Sequence, residues 1–360
     1  MPELFSPLTI RALPLRNRLW IAPMCQYSVF AEDGVPTDWH LVHLGQFAIG
    51  GAGLVLTEAT AVTPDGRISP RDTGIWNDEQ GAAWSRIAAF IRSQGAAAGI
   101  QLGHAGRKGS TFPAWGTDER GTVPAADGGW QPVGPTTEPF DGFAAPLALD
   151  EGAITRIVEA FANAATRAVT AGFDVVEIHA AHGYLLHQFL SPLVNTRTDR
   201  YGGTLENRAR FLLRVVGAVR AVLGDRALFV RFSATDWAAG GWNETDTATV
   251  ARWAADAGAD FFDISTGGAV AGVEIPLSPG YQVRFATYVR DHAHVPVSAV
   301  GLITDPTEAE DIVRSGRADA VMIAREALRD PHFALRAAAM SGIDELVPGA
   351  YRRAHYPTGN

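Results

Sequence analysis

Two histidines and a tyrosine share one short run, His179-Ala180-Ala181-His182-Gly183-Tyr184, directly after the apolar stretch Val175-Val176-Glu177-Ile178. Neutral imidazoles donate N–H bonds to a carbonyl oxygen, and a phenol beside them supplies a proton. The set therefore suits polarising a carbonyl and protonating the carbon next to it. Gly183 marks a loop, so His182 and Tyr184 are harder to explain as core residues than His179, which by itself reads as a satisfied core histidine. No carboxylate stands at ligand spacing from the histidine pair and the one cysteine lies far off in sequence, so no metal site is expected.

Further polar residues close other apolar runs. Arg231, at such an end, needs an anionic or carbonyl-rich partner, because an unpaired buried charge is costly. A plainer reading pairs it with a rim carboxylate such as Asp236 or Glu177. Gln101 offers a donor and an acceptor together. Gly301 lets a backbone approach closely, and Arg325 supplies a forked, permanently charged donor of the kind that holds an anion. Together these residues describe a pocket for a planar heterocycle with a phosphate tail. Cys25, taken alone, reads as a small buried hydrophobe.

The elements that must position these groups recur in a fixed order. Short β-branched runs at 19–22, 53–57, 99–102, 174–178, 228–232, 260–264, 295–299 and 320–323 alternate with amphipathic segments such as 78–94, 150–171, 207–223, 246–257, 283–292 and 307–315. That pattern predicts a (β/α)8 TIM barrel, whose strand ends carry the site. An open doubly wound sheet would need Gly-x-Gly-x-x-Gly after its first strand, where Pro23-Met24-Cys25-Gln26-Tyr27 stands instead. Residues 4–10 and 13–18 read as a hairpin plugging the barrel floor. Residues 112–145, rich in Pro and Gly, read as a lid or substrate wall after the third strand, the alternative being a solvated insertion. The tail, 348–360, carries Arg352 and Arg353 and reads as frayed or docked on a neighbour. Residues 1–360 are expected to form a single domain.

Composition narrows the partners. The chain has 360 residues, 47% of them apolar, enough for a large core, and a formal net charge of −9, which argues against nucleic acid or an anionic membrane as partner. The start, Met1-Pro2-Glu3, lacks the features of a signal peptide, and the expected location is cytoplasmic. A single cysteine excludes an internal disulfide.

Taken in order, these pieces resemble the Old Yellow Enzyme family of flavin-dependent ene-reductases, and more narrowly its bacterial, cysteine-containing branch, called thermophilic-like. The resemblance runs from Leu4 to Arg353. It rests on Leu15-Arg16-Asn17-Arg18, Ala22-Pro23-Met24-Cys25-Gln26-Tyr27, Gln101-Leu102-Gly103-His104-Ala105-Gly106-Arg107-Lys108 and His179-Ala180-Ala181-His182-Gly183-Tyr184-Leu185. Further on it includes Asn195-Thr196-Arg197-Thr198-Asp199-Arg200-Tyr201, Glu206-Asn207-Arg208 and Val300-Gly301-Leu302-Ile303-Thr304-Asp305. It implies non-covalent FMN, with Ala22, Pro23, Met24, Cys25 and Ala59 against the isoalloxazine, Gln101 and Arg231 on its pyrimidine edge, and Gly301, Ala324 and Arg325 on the phosphate. It also implies that His179 and His182 bind the substrate oxygen, Tyr184 donates the proton and Tyr27 adds a second substrate-contacting hydroxyl. Cys25 would tune the flavin potential, and Arg353 would reach a neighbouring protomer's site.

The implied activity passes a hydride from NADPH or NADH through FMN N5 to the activated C=C bond of an α,β-unsaturated carbonyl or nitro compound, in a homodimer or homotetramer. Two departures stand out: Ala324 replaces a frequent glycine, and 112–145 is longer than in compact members. On the residues alone two other readings stay open. One is an aldolase or isomerase using Lys108 as a Schiff base; the other is a flavin-binding protein without turnover.

Overall fold

Side chains two apart on a strand share a face, and that period explains how the interior is layered. In the computed structural model, which describes residues 2–354, β1 (Leu8–Ile10) and β2 (Leu13–Leu15) form an antiparallel hairpin, followed by β3 (Leu19–Ile21), β4 (Leu54–Ala61) and β5 (Ala97–Gly103). A two-residue parallel pair, β6 (Val133–Gly134) and β7 (Leu147–Ala148), frames the end of the long excursion. Then come β8 (Val175–Ala180), β9 (Ala227–Ser233), β10 (Phe261–Ser265), β11 (Val297–Ala299) and β12 (Ala320–Ile323). Strands β3, β4, β5 and β8 to β12 close in chain order into one parallel barrel, sealed by β12 on β3 through Val321↔Leu19. This is the expected (β/α)8 barrel, with each of the eight strands at its foreseen place.

The helices are α1 (Asp38–Ile49), α2 (Asp78–Ser93), α3 (Glu151–Ala171), α4 (Leu185–Leu190), α5 (Leu205–Leu223), α6 (Glu244–Asp256), α7 (Val283–Ala293), α8 (Pro306–Arg314), α9 (Arg325–Arg329) and α10 (Phe333–Met340). Their starts follow capping chemistry: Asn77 accepts from the Gln80 amide, Asp150 from Ala153 and Asn243 from Thr245 and Asp246. Helices α1, α4, α9 and α10 go beyond the sequence reading. No helix among the described residues is long and apolar enough to cross a membrane.

Two hydrophobic layers hold the barrel. The outer one lies between strands and helices. The inner one fills the floor, where Trp20 meets Phe261 at 5.0 Å between ring centroids and Phe261 meets Phe229 at 4.8 Å. Ile10 and Leu15 of the hairpin join that floor cluster, so the hairpin does plug the barrel. Above the floor the inward face turns polar. Phe229 gives way to Arg231, Phe261 to Asp263, and Val175 to Glu177 and then His179.

Apart from a 3-10 turn at Ala125–Asp127 and the short strand β6, the excursion is irregular, yet it is fastened. Arg107 donates to the carbonyls of Glu138 and Pro139, and Trp115 Nε1 donates to the Gln26 carbonyl at 2.8 Å. It therefore lies against the turn that follows β3. In the tail, Gly349–Ala354 form an exposed 3-10 turn, while 355–360 lie outside the described residues.

Candidate active site

The turn after β8 is held from several sides. Gly183 has φ +72°, and a Cβ there would meet the Gly268 carbonyl oxygen at 2.0 Å, so only glycine fits. His182 also lies in the left-handed region, at φ +56°, a conformation that costs a non-glycine residue about 1–3 kcal/mol and clusters at functional sites. Its amide donates to Ser233 Oγ at 2.9 Å. The Gly183 amide donates to His187 Nδ1, whose Nε2 sits 3.1 Å from the buried carboxylate of Asp236. Lys108 Nζ donates to the carbonyls of His182 and Gly268, so this amine braces the turn.

Three rings converge on the turn. His179 lies 5.2 Å from His182 and 5.0 Å from Tyr184 between ring centroids, both near edge-to-face. Burial, aided by the Arg231 charge, holds both histidines well below the ordinary imidazole range, so they are neutral donors. His179 Nδ1 accepts from the Ala181 amide, which leaves its proton on Nε2. His182 Nε2 is 2.8 Å from Ser265 Oγ, whose hydroxyl donates to Gln282 Oε1 at 3.2 Å. Burial and the nearby Cys25 push the Tyr184 phenol well up, so it keeps its proton.

Beneath these rings, β-sheet register pairs the buried polar groups. Arg231 stands opposite Asp263 and ion-pairs with it at 2.7 Å, and Gln101 stands opposite Glu177 and donates to it at 2.7 Å. The sequence reading named Asp236 or Glu177 as partners for Arg231. Neither holds it, because Asp236 is taken by His187 and Ser191, and Glu177 by Gln101. Burial and the Asp263 charge raise the Glu177 carboxyl against the pull of Arg231.

A cavity of about 160 Å³ runs from Arg231 past Ser265, Gln282 and Gly301 to Ala324 and Arg325. Gly301 has φ +125°, and a Cβ there would meet Gln282 Nε2 at 2.7 Å. Ala324 has φ −115°, so alanine in place of glycine brings no left-handed strain. Arg329, one helical turn beyond Arg325, lines the same cavity; the i, i+4 spacing was the signal for it. Gln282 and Ser265 carried no such signal.

The turn after β3 forms another wall. Ala22 is buried, while Pro23, Met24, Cys25 and Tyr27 are half-buried. The Gln26 amide donates to Glu58 Oε2, and Glu58 Oε1 lies 3.1 Å from His40 Nε2 of α1. Tyr27 is left-handed at φ +52°. Ala59 follows a register shift in β4 that begins at Leu56. Burial, with Asp72 and Glu58, holds the Cys25 thiol up and protonated. Arg353 lies exposed in the closing turn and lines neither this cavity nor the one behind Tyr184.

Residues 3–342 match the NADH:flavin oxidoreductase / NADH oxidase family. The chain belongs to this family, the Old Yellow Enzyme family. It is 43% identical over 352 residues to an NADPH dehydrogenase of Bacillus subtilis (strain 168), covering 98% of both chains. It is 46% identical over 355 residues to an NADPH dehydrogenase of Listeria innocua, covering 98% of this chain and 99% of that one. Among solved structures it is similar to morphinone reductase (TM-score 0.78, 30% identity, covering 95% of this chain and 90% of that one). It is also similar to an Old Yellow Enzyme homologue from Zymomonas mobilis (TM-score 0.76, 29% identity, covering 93% and 92%).

As an Old Yellow Enzyme family member the protein is an oxidoreductase with FMN as its cofactor. The cavity fits that group chemically. Arg325 and Arg329 stand at the end where a phosphate would need cations, a side-chain-free Gly301 lies between, and donors suited to a heterocycle edge occupy the barrel interior.

Proposed function

We propose that the protein is an NAD(P)H-dependent ene-reductase acting on the activated C=C bond of α,β-unsaturated carbonyl or nitro compounds. The observation that carries this reading is the convergence of His179, His182 and Tyr184, two neutral donors and one retained phenol proton on a single wall. FMN, when bound, takes two electrons from the nicotinamide and returns them to the alkene.

The chain's own residues supply the rest. His179 Nε2–H and the His182 ring N–H donate to the substrate oxygen, stabilising the negative charge that grows there as the β-carbon is reduced. Tyr184 passes its phenol proton to the α-carbon. Gln101 and Arg231 hold the cofactor's pyrimidine edge, and Gly301, Ala324, Arg325 and Arg329 its phosphate. Ala22, Pro23, Met24 and Ala59 supply the apolar wall, Cys25 adds a polarisable neutral thiol, and Tyr27 adds a second hydroxyl on the substrate side. NADPH is the favoured donor, in line with the names of the bacterial relatives, and morphinone reductase has been seen with tetrahydroNAD. Arg353, exposed in the tail, completes the substrate wall of a neighbouring copy in a homodimer or homotetramer.

Anaerobic visible spectroscopy tests the reading. The purified protein should be yellow, bleach with NADPH and regain its colour when a simple cyclic enone is added. A colourless protein that does not take up FMN, or a bleached one that the enone leaves bleached, contradicts it.

A further inference from the structure

Tyr184 also lines a second cavity, small and just large enough for a water molecule, together with His179, Asp72, His104 and Arg67. Neither Asp72 nor His104 has a part in the chemistry described above, and both are buried. His104 Nδ1 accepts from the Gly106 amide at 3.1 Å, which leaves the ring proton on Nε2. That Nε2 is buried and has no hydrogen-bond partner in the protein. An orphaned buried donor on a residue that lines a cavity of this size calls for a water.

Asp72 sits on the same cavity. Its Oδ2 accepts from the Ile68 amide at 2.7 Å and its Oδ1 from the Ser69 hydroxyl at 3.2 Å, which fixes the carboxyl in place. Burial, then the charge of Glu58, pushes it up to about 7, so it gains and loses a proton near neutral pH. The titratable and charged groups acting on or with it are Glu58, Arg67, Cys25, Tyr27 and Tyr184. Half-buried Arg67 lines the cavity, and the exposed carboxylate of Asp65 acts on His104, so the route opens toward solvent on that side.

We propose that this cavity is the proton-supply route of the active site, in which a water held by His104 Nε2 carries a proton from the Asp72 carboxyl to Tyr184 after each turnover. The inference rests on the reading of Tyr184 as the acid. The balance is simple. The Tyr184 O–H bond breaks as the α-carbon C–H bond forms, leaving a phenolate. The water gives one proton to the phenolate oxygen and takes one from Asp72, while His104 Nε2–H donates to the water oxygen throughout. The Asp72 carboxylate regains its proton from bulk water.

Stopped-flow mixing of the NADPH-reduced holoenzyme with an enone, in weak buffer with a pH-indicator dye, tests this. In the parent protein proton uptake from solution keeps pace with flavin reoxidation. Asp72→Asn and His104→Phe should leave single-turnover flavin reoxidation within about twofold, because it uses the proton already on Tyr184. Their proton uptake should lag by about tenfold or more, with a transient near-ultraviolet phenolate signal, and added acetic acid should restore uptake in Asp72→Asn. In the parent, uptake should slow as the pH rises past about 7, and in Asp72→Asn that dependence should vanish. Uptake that coincides with flavin reoxidation in either flavin-loaded variant overturns the route. If Tyr184→Phe leaves reoxidation unchanged, the underlying acid assignment fails instead, which is a separate result. The variants change different groups, so loss of folding in one leaves the other to decide.

Discussion

At the scale of single residues, the proposed chemistry depends on neutral imidazoles, and burial first, then the nearby Arg231 charge, keeps them so. A neutral ring donates from one nitrogen only, so what each second nitrogen does is decisive: the Ala181 amide occupies His179 Nδ1, and His182 Nε2 meets Ser265 Oγ. Removing one donor, as in His182→Ala, should cost about 3–4 kcal/mol in the oxidative half-reaction while flavin still binds; rapid-mixing rates for both half-reactions check this. That His179, His182 and Tyr184 stand together was legible, because they fall in one short run. Their buried partners were not. Asp263 lies 32 positions from Arg231, and only the strand register places them side by side. His104 and Asp72 were invisible for the same reason, since the cavity they share is assembled from separate loops.

At the scale of elements, the eight barrel strands were readable from short apolar runs, and most helices from an amphipathic period closed by capping residues. Helix α1 escaped because its core-facing side includes His40 and His43, two imidazoles that break the apolar pattern. Strand β4 runs on to Ala61, past the expected end at residue 57, because the register shift after Leu56 lets polar Glu58 and Thr60 stay in the strand. The turn after β8 makes the sharpest demand. A methyl group at Gly183 would strike the Gly268 carbonyl oxygen and would force an L side chain to φ +72°. Gly183→Ala should therefore destabilise the protein by about 1–3 kcal/mol and slow alkene turnover more than flavin reduction. Thermal melts with half-reaction rates report both. A variant matching the parent in each would mean the turn has room to shift.

At the scale of the whole molecule, the barrel separates stability from chemistry along its axis. Trp20, Phe229 and Phe261 close the floor with the hairpin beneath them, and the polar layer opens only above. The excursion leans on the β3 turn through Trp115 and on the core through Arg107, so it borders the mouth of the site. Assembly was the least legible level, since a tail with two arginines reads alike as frayed or docked. Deleting the residues after Pro348 should shift the protein toward monomer in sedimentation velocity and lower activity together. An active monomer would remove Arg353 from the account.

The central claim is that Tyr184 delivers the proton to a substrate held by His179 and His182. Tyr184→Phe, followed by stopped flow, tests it most directly. Flavin reduction by NADPH should stay close to that of the parent, and reoxidation by an enone should slow roughly 10²–10⁴-fold. Reoxidation at the parental rate would contradict it.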